Sequence, residues 1–178
     1  MTATPRLRWI TRPEEVTPAM AGQLLACWRD VSNAGGSVGF PVVPVDDAEV
    51  GRAVESLVAS LDDDTRLLWV GEDAELSAWL VLARNRERIF RHWATLRRVQ
   101  TALPARGRGL GRALLAEAAR SARDDLGLAH LHLYVRAGEG LEPFYLRQGY
   151  REIGRWPAAL RIGHGADLRD EVLLFLEL

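Results

Sequence analysis

The sequence predicts a mixed α/β sheet flanked by helices, and three observations lead there. Residues 66–70 and 76–84 are rich in Leu, Val and Trp and are separated by a polar stretch, the mark of an antiparallel hairpin. Residues 89–103 read as a strand, the stretch after Pro104 as a glycine-led helix, and 129–136 as a buried strand. Strand, crossover helix and strand imply a parallel pair, so one sheet holds both strand directions. Ahead of both stand two amphipathic helical patterns.

The first helix opens at Thr17, an N-cap followed by Pro18, and aligns Met20, Leu24, Cys27, Trp28 and Val31 on one stripe. Residues 33–45 hold three glycines and two prolines, too many breakers for a helix or central strand. Loops of that length in small domains often serve as lids or binding loops. The second helix starts at Asp46 or Asp47, with Glu49 placed for a capping box and Val50, Val54, Leu57, Val58 and Leu61 facing inward. Asp62, Asp63 and Asp64 end it as a solvated run. In the strand after residue 89, Ala94 and Leu96 share one parity while Val99, Thr101 and Leu103 share the other. A change of parity needs an extra residue, which predicts a β-bulge near Arg97 or Arg98. The helix after the glycine-rich turn aligns Leu110, Leu114 and Ala118 and fades at Gly127. In the next strand Leu131, Leu133 and Val135 alternate with His130, His132 and Tyr134. A short helix at 143–148 and strands at 150–155 and 171–178 complete the order.

Composition narrows the chemistry. The chain is 48% hydrophobic and 26% charged, the profile of one domain spanning residues 1–178. The single cysteine, Cys27, excludes an internal disulfide and a cysteine-cluster metal site, and no metal site is expected. No apolar run reaches the roughly 20 residues of a membrane span, and residues 1–10 lack a signal-peptide pattern, so a cytoplasmic location is expected. All 23 basic residues are arginine, which removes lysine Schiff-base and P-loop chemistry. Residues 1–80 carry six arginines against thirteen acids, and residues 81–178 seventeen against eleven. The chain is electrically polar.

The hexapeptide RGRGLG at 106–111 lies between a strand and a helix, where unpaired N-terminal amides and the helix dipole favour an anion. Gly107, Gly109 and Gly111 permit close approach of phosphate oxygens, and Arg106, Arg108 and Arg112 add positive charge. Its spacing matches neither a dinucleotide fingerprint nor a P-loop. Arg106, Gly109 and Gly111 instead fit the [QR]xxGx[GA] pattern, and Tyr145 follows thirty-nine residues after Arg106, in FYLRQGY. Together these segments resemble motifs A and B of the GNAT superfamily of N-acetyltransferases, over residues 67–156.

The resemblance implies a GNAT fold with a bulged, splayed parallel strand pair, acetyl-CoA as cofactor, and Tyr145 as general acid for the departing thiolate. The pantetheine arm would lie along Val99, Gln100 and Thr101, and the pyrophosphate on the backbone from Arg106 through Leu110 to Arg112. Two positions depart from the family: Gly138 stands where an asparagine is common, and Thr95 where some members place a glutamate base. His92, on the same strand as Val99, is a candidate base. Asn33 and Phe40 on the loop, with Trp93 beside His92, are expected on the acceptor side. The acidic first half would favour a cationic acceptor. Acetyl transfer to a primary amine of a small molecule, an aminoglycoside-like antibiotic included, is therefore expected from a monomer or homodimer that binds neither nucleic acid nor membrane. Acetylation of a protein N-terminus or lysine is one alternative, and a non-catalytic acyl-CoA-binding module another.

Overall fold

The computed structural model describes residues 6–72 and 75–178. Seven strands form one sheet in the order β1-β2-β3-β4-β5-β7-β6. They are β1 (Arg6–Ile10), β2 (Thr65–Glu72), β3 (Glu75–Arg84), β4 (Trp93–Thr101), β5 (His130–Arg136), β6 (Arg151–Ile162) and β7 (Asp167–Glu177). Every neighbouring pair is antiparallel except β4 and β5. Helices α1 (Pro18–Asn33), α2 (Asp47–Ala59), α3 (Leu110–Arg120) and α4 (Glu142–Leu146) flank it.

Both expected N-caps form, but the capping box expected at Glu49 is only half made: among the described residues its side chain gives no bond back to the Asp46 amide. Thr17 accepts from the Met20 amide at 3.2 Å, and Asp46 from the Glu49 amide at 2.8 Å. Because β2 and β3 are covered on both faces, they read as continuous apolar runs that divide by parity. Leu68, Val70, Leu80 and Leu82 pack under α3 with Leu110, Leu114, Leu115 and Ala118. Leu67, Trp69, Trp79 and Val81 pack under α1 and α2 with Leu24, Trp28, Val50 and Val54.

The predicted bulge lies in β4. Trp79 of β3 faces Gln100 and Val81 faces Arg97, so an extra residue is accommodated between them, and Arg98 adopts φ 57°. The parallel pairing of β4 with β5 covers only Trp93 to Thr95 opposite His130 to His132. Beyond it the strands part.

Two elements differ from expectation. The edge strand β1 was not foreseen, its five residues being too short to stand out. Strands β6 and β7 are longer than the predicted 150–155 and 171–178, forming one hairpin through residues 156–170. Register shifts near Gly154 and between Trp156 and Leu160, with Ala158 at φ 51°, hide the alternation there. Among the described residues no helix is long and apolar enough to cross a membrane, and no group of three metal-ligating side chains gathers.

Candidate active site

The glycine-rich turn occupies the gap between the 3₁₀ turn Leu103–Ala105 and α3. Gly107 and Gly109 take φ 76° and 77°, a region that strains any residue with a Cβ. Nothing stands within 4 Å of where a Cβ would lie on either, so the backbone there faces open space. The Gly109 carbonyl accepts the first bond of α3, from Ala113, so the amides of Leu110 to Arg112 at the helix start have no partner within the helix. Gly111 has a different reason: a Cβ would stand 3.2 Å from the Phe144 ring.

A cavity of about 550 Å³ opens over this turn and is lined by Arg106, Gly107, Gly109, Leu110, Gly111 and Arg112. Val99, Thr101 and Tyr145 carry its wall onward into a second cavity, of about 350 Å³, set between the parted β4 and β5. A third, of about 390 Å³, continues beneath the loop after α1, sharing Ser37, Arg98, Tyr134 and Glu171 with the second. The three form one path from the turn, through the split sheet, to the loop.

Tyr145 stands where the first two meet. Pro143 sits in the first turn of α4, and Gly149 at φ 89° turns the chain into β6, so the ring is wedged edge-on between Phe144 and Tyr150 at 5.0 and 5.9 Å. The side chain is 7% exposed. Burial pushes its phenol up to about 12, so it holds its proton at any physiological pH. Gln100 is 3% exposed and lines the second cavity, yet neither amide atom has a hydrogen-bond partner. The nearby Ser37 hydroxyl is likewise unpartnered.

The loop roof is tied at four points. Trp28 Nε1 donates to the Val38 carbonyl at 2.9 Å and the Gly36 amide to the Val31 carbonyl at 2.9 Å. The Asn33 amide group donates to the Val45 carbonyl at 3.1 Å and accepts from the Val45 amide at 2.8 Å. Across the cleft, the Gly163 amide of the β6–β7 hairpin donates to the Pro41 carbonyl at 2.7 Å.

A model of the acetyltransferase (GNAT) family matches residues 36–150. The chain belongs to that family. A ribosomal-protein-alanine N-acetyltransferase of Brucella melitensis shares 22% identity over 97% of this chain and 99% of its own, with a TM-score of 0.73. The Salmonella typhimurium protein yncA, solved with its cofactor acetyl-CoA, shares 14% over 99% and 95%, with a TM-score of 0.71. A nourseothricin acetyltransferase shares 24% over 66% and 68%, with a TM-score of 0.56. These likenesses establish the GNAT fold, and membership makes this chain an acetyl-CoA-dependent N-acetyltransferase.

The cleft of this acetyltransferase gathers Val99, Gln100, Thr101, the turn residues and Tyr145, together with Phe40 in the third cavity. Arg108 lies on the exposed outer part of the turn. His92 and Trp93 require correction. They sit at the opposite end of β4, where Trp93 stacks on His132 at 4.4 Å and His92 meets His130 edge-on at 5.2 Å. Neither lines any of the cavities. The physical reason is strand rise: seven residues separate His92 from Val99, about 23 Å of chain. Asn33 also needs correction, because its side chain is spent on the Val45 backbone.

The expected acidic acceptor side is not found either. Acids of the first half are neutralised on the surface: Asp63 pairs with Arg12 at 2.9 Å, Asp62 with Arg86, Asp64 with Arg84 and Arg91, and Asp47 with Arg29 at 2.7 Å. The three connected cavities are instead lined by six arginines and two glutamates, Glu139 and Glu171. Arg98 and Glu171 escaped sequence reasoning. The bulge itself was the available signal for Arg98, since an extra residue turns Arg97 and Arg98 to the same side, where both line a further cavity against Trp28. Glu171 needed the register that sets it opposite Arg136.

Proposed function

We infer that this enzyme acetylates the primary amine of a small molecule by direct attack within a ternary complex. The observation that carries the reading is the continuous path with Tyr145 at its midpoint, open to the glycine-rich turn on one side and to a roofed cavity on the other. The residues of the turn suit a diphosphate: amides with no partner within the helix, two glycines at positive φ, and Arg106 and Arg112, which make no ion pair among the described residues. The parted edges of β4 and β5 offer backbone groups to a pantetheine amide at Val99 and Thr101.

Acetyl-CoA, when bound, supplies a thioester whose carbonyl carbon takes the amine nitrogen as the carbon–sulfur bond breaks. Tyr145 holds its hydroxyl proton toward the departing sulfur. With the phenol near 12 and a thiol near ~8.5, complete transfer of that proton is uphill, so Tyr145 stabilises the thiolate by donating a hydrogen bond. Cys27 plays no covalent part: it is buried in the core between α1 and the sheet, lines none of the three connected cavities, and burial pushes its thiol up to about 11. The loop roof excludes water from the thioester, which favours transfer over hydrolysis. Its tied geometry also supports a small acceptor over a protein tail.

Tyr145→Phe tests the reading, because it removes one hydroxyl and keeps the ring among Phe144 and Tyr150. The kcat should fall by about a hundredfold or more with KM for acetyl-CoA little changed, measured by thiol release under chemistry-limited conditions. A near-normal kcat would assign protonation of the thiolate to water or a backbone donor.

A further inference from the structure

We propose that the acceptor is a zwitterionic, amino-acid-like molecule whose carboxylate is held by Arg98 and Arg136 in the third cavity while its amine faces Glu171. This inference rests on the N-acetyltransferase reading above and specifies its substrate class.

Three arginines and one glutamate line that cavity: Arg98, Arg136, Arg161 and Glu171. Among the described residues neither Arg98, Arg161 nor Glu171 makes an ion pair or a side-chain hydrogen bond, and Arg136 reaches only Glu139, at 3.6 Å. The Arg136 Nε is buried without a partner. A guanidinium with no carboxylate beside it in a roofed cleft is an anion receptor in waiting, because a paired fork of donors matches a carboxylate.

Arg98 is placed for this task at a cost in backbone strain. It occupies the left-handed region at φ 57°, which residues with a side chain rarely adopt. That strain aims its guanidinium across Trp28, 5.2 Å from the ring centroid, and against Gly39 of the roof. A Cβ on Gly39 would overlap this guanidinium, so the loop conformation and the arginine are fitted to each other. Crowding by neighbours, with Arg97 adding like charge, lowers the Arg98 pKa, the sense in which an added anion would be stabilising.

Glu171 supplies the other pole. It lies opposite Arg136 in the β5–β7 register and lines both the third cavity and the second, which also contains Tyr145. An ammonium beside it would point its nitrogen toward the split sheet. Before attack one ammonium proton passes to the Glu171 carboxylate and on to solvent. The nitrogen then bonds to the acetyl carbon, and its second departing proton ends on the released sulfur, giving amide and free thiol. Buried Gln100 and half-buried Ser37, both with unpartnered polar atoms, stand along the same wall to receive the acceptor's remaining polar groups.

The test is a thiol-release panel that pairs each proteinogenic amino acid with its carboxamide, alongside polyamines, aminoglycosides and short peptides, with acetyl-CoA binding followed separately by thermal shift. The expected result is that at least one amino acid exceeds its carboxamide in kcat/KM by about thirtyfold or more. In Arg98→Met that preference should collapse, with Arg136→Gln giving a comparable loss. Retention of the acetyl-CoA shift shows that each variant is folded. Glu171→Gln should impair amino acids yet spare aminooxyacetate, whose nitrogen is already a neutral NH2 at neutral pH, with no ammonium proton to shed before attack, and whose carboxylate is kept. Preference for neutral or polycationic small amines would overturn the zwitterion and leave the acetyltransferase reading intact. Peptide acceptors alone would overturn both. Equal loss with aminooxyacetate would remove Glu171 from proton transfer.

Discussion

Tyr145 and His92 show how differently a residue's chemistry and its position are written in a sequence. The tyrosine carried its own context, a spacing from Arg106 and a following Gly149 that turns the chain, and the structure puts it on the cavity wall. The histidine had suitable chemistry but stands among Trp93, His130 and His132 at the wrong end of β4. Burial first and then neighbouring imidazoles lower the pKa values of His130 and His132 there. His92→Gln should accordingly leave kcat/KM and its pH profile within twofold of the parent, about the scatter of such kinetics. A lost acidic limb in that variant would return His92 to the reaction. Glu171 was illegible for a related reason: a single charged residue in a strand has no meaning until cross-strand register supplies its neighbours.

At the scale of elements, the parity change in β4 was fully legible, because alternation is a strict period and a single inserted residue breaks it. The hairpin of β6 and β7 was not, since Pro157 and Ala158 read as loop while the irregular register between Trp156 and Leu160 absorbs them, and Gly163 and Gly165 form its turn. The glycine-rich turn lies between these cases. Its anion-binding character was visible, and the structure adds which glycine answers to which demand. Gly109→Ala should lose roughly 1–2 kcal/mol of stability from φ alone, because its methyl meets nothing in the free protein. With acetyl-CoA present the same methyl would occupy the phosphate approach, so the thermal shift given by the ligand should shrink well below that of the parent. A full ligand shift in a destabilised Gly109→Ala would locate the diphosphate elsewhere.

Across the whole molecule, the buried acids share one sign of perturbation. Burial raises the phenols of Tyr145, to about 12, and of Tyr150, further still, and raises the Cys27 thiol to about 11. In the unfolded chain these groups ionise near ~10 and ~8.5, so above those values the unfolded state binds fewer protons and gains on the native state. Stability should therefore be level from neutrality to about pH 8.5, then fall steadily through pH 12. Tyr145 alone accounts for about 3 kcal/mol of that fall, from two pK units at ~1.4 kcal/mol each. Urea melts between pH 8 and 11 would capture about the first half of the Tyr145 share, and Tyr145→Phe should flatten it. A level profile to pH 11 would mean that these side chains are better solvated than their packing indicates.

The arginine lining of the cleft has one more consequence, and it concerns the enzyme's durability rather than its specificity. A thioester held for many turnovers is a threat to any nearby amine, and a lysine in such surroundings readily sheds its proton and becomes a nucleophile. Guanidinium does not deprotonate in a protein. A wall that attracts anions through Arg97, Arg98, Arg106, Arg112, Arg136 and Arg161 is thus inert toward the acyl group it helps to hold. With no lysine anywhere in the chain, no side-chain amine of this acetyltransferase competes with its substrate.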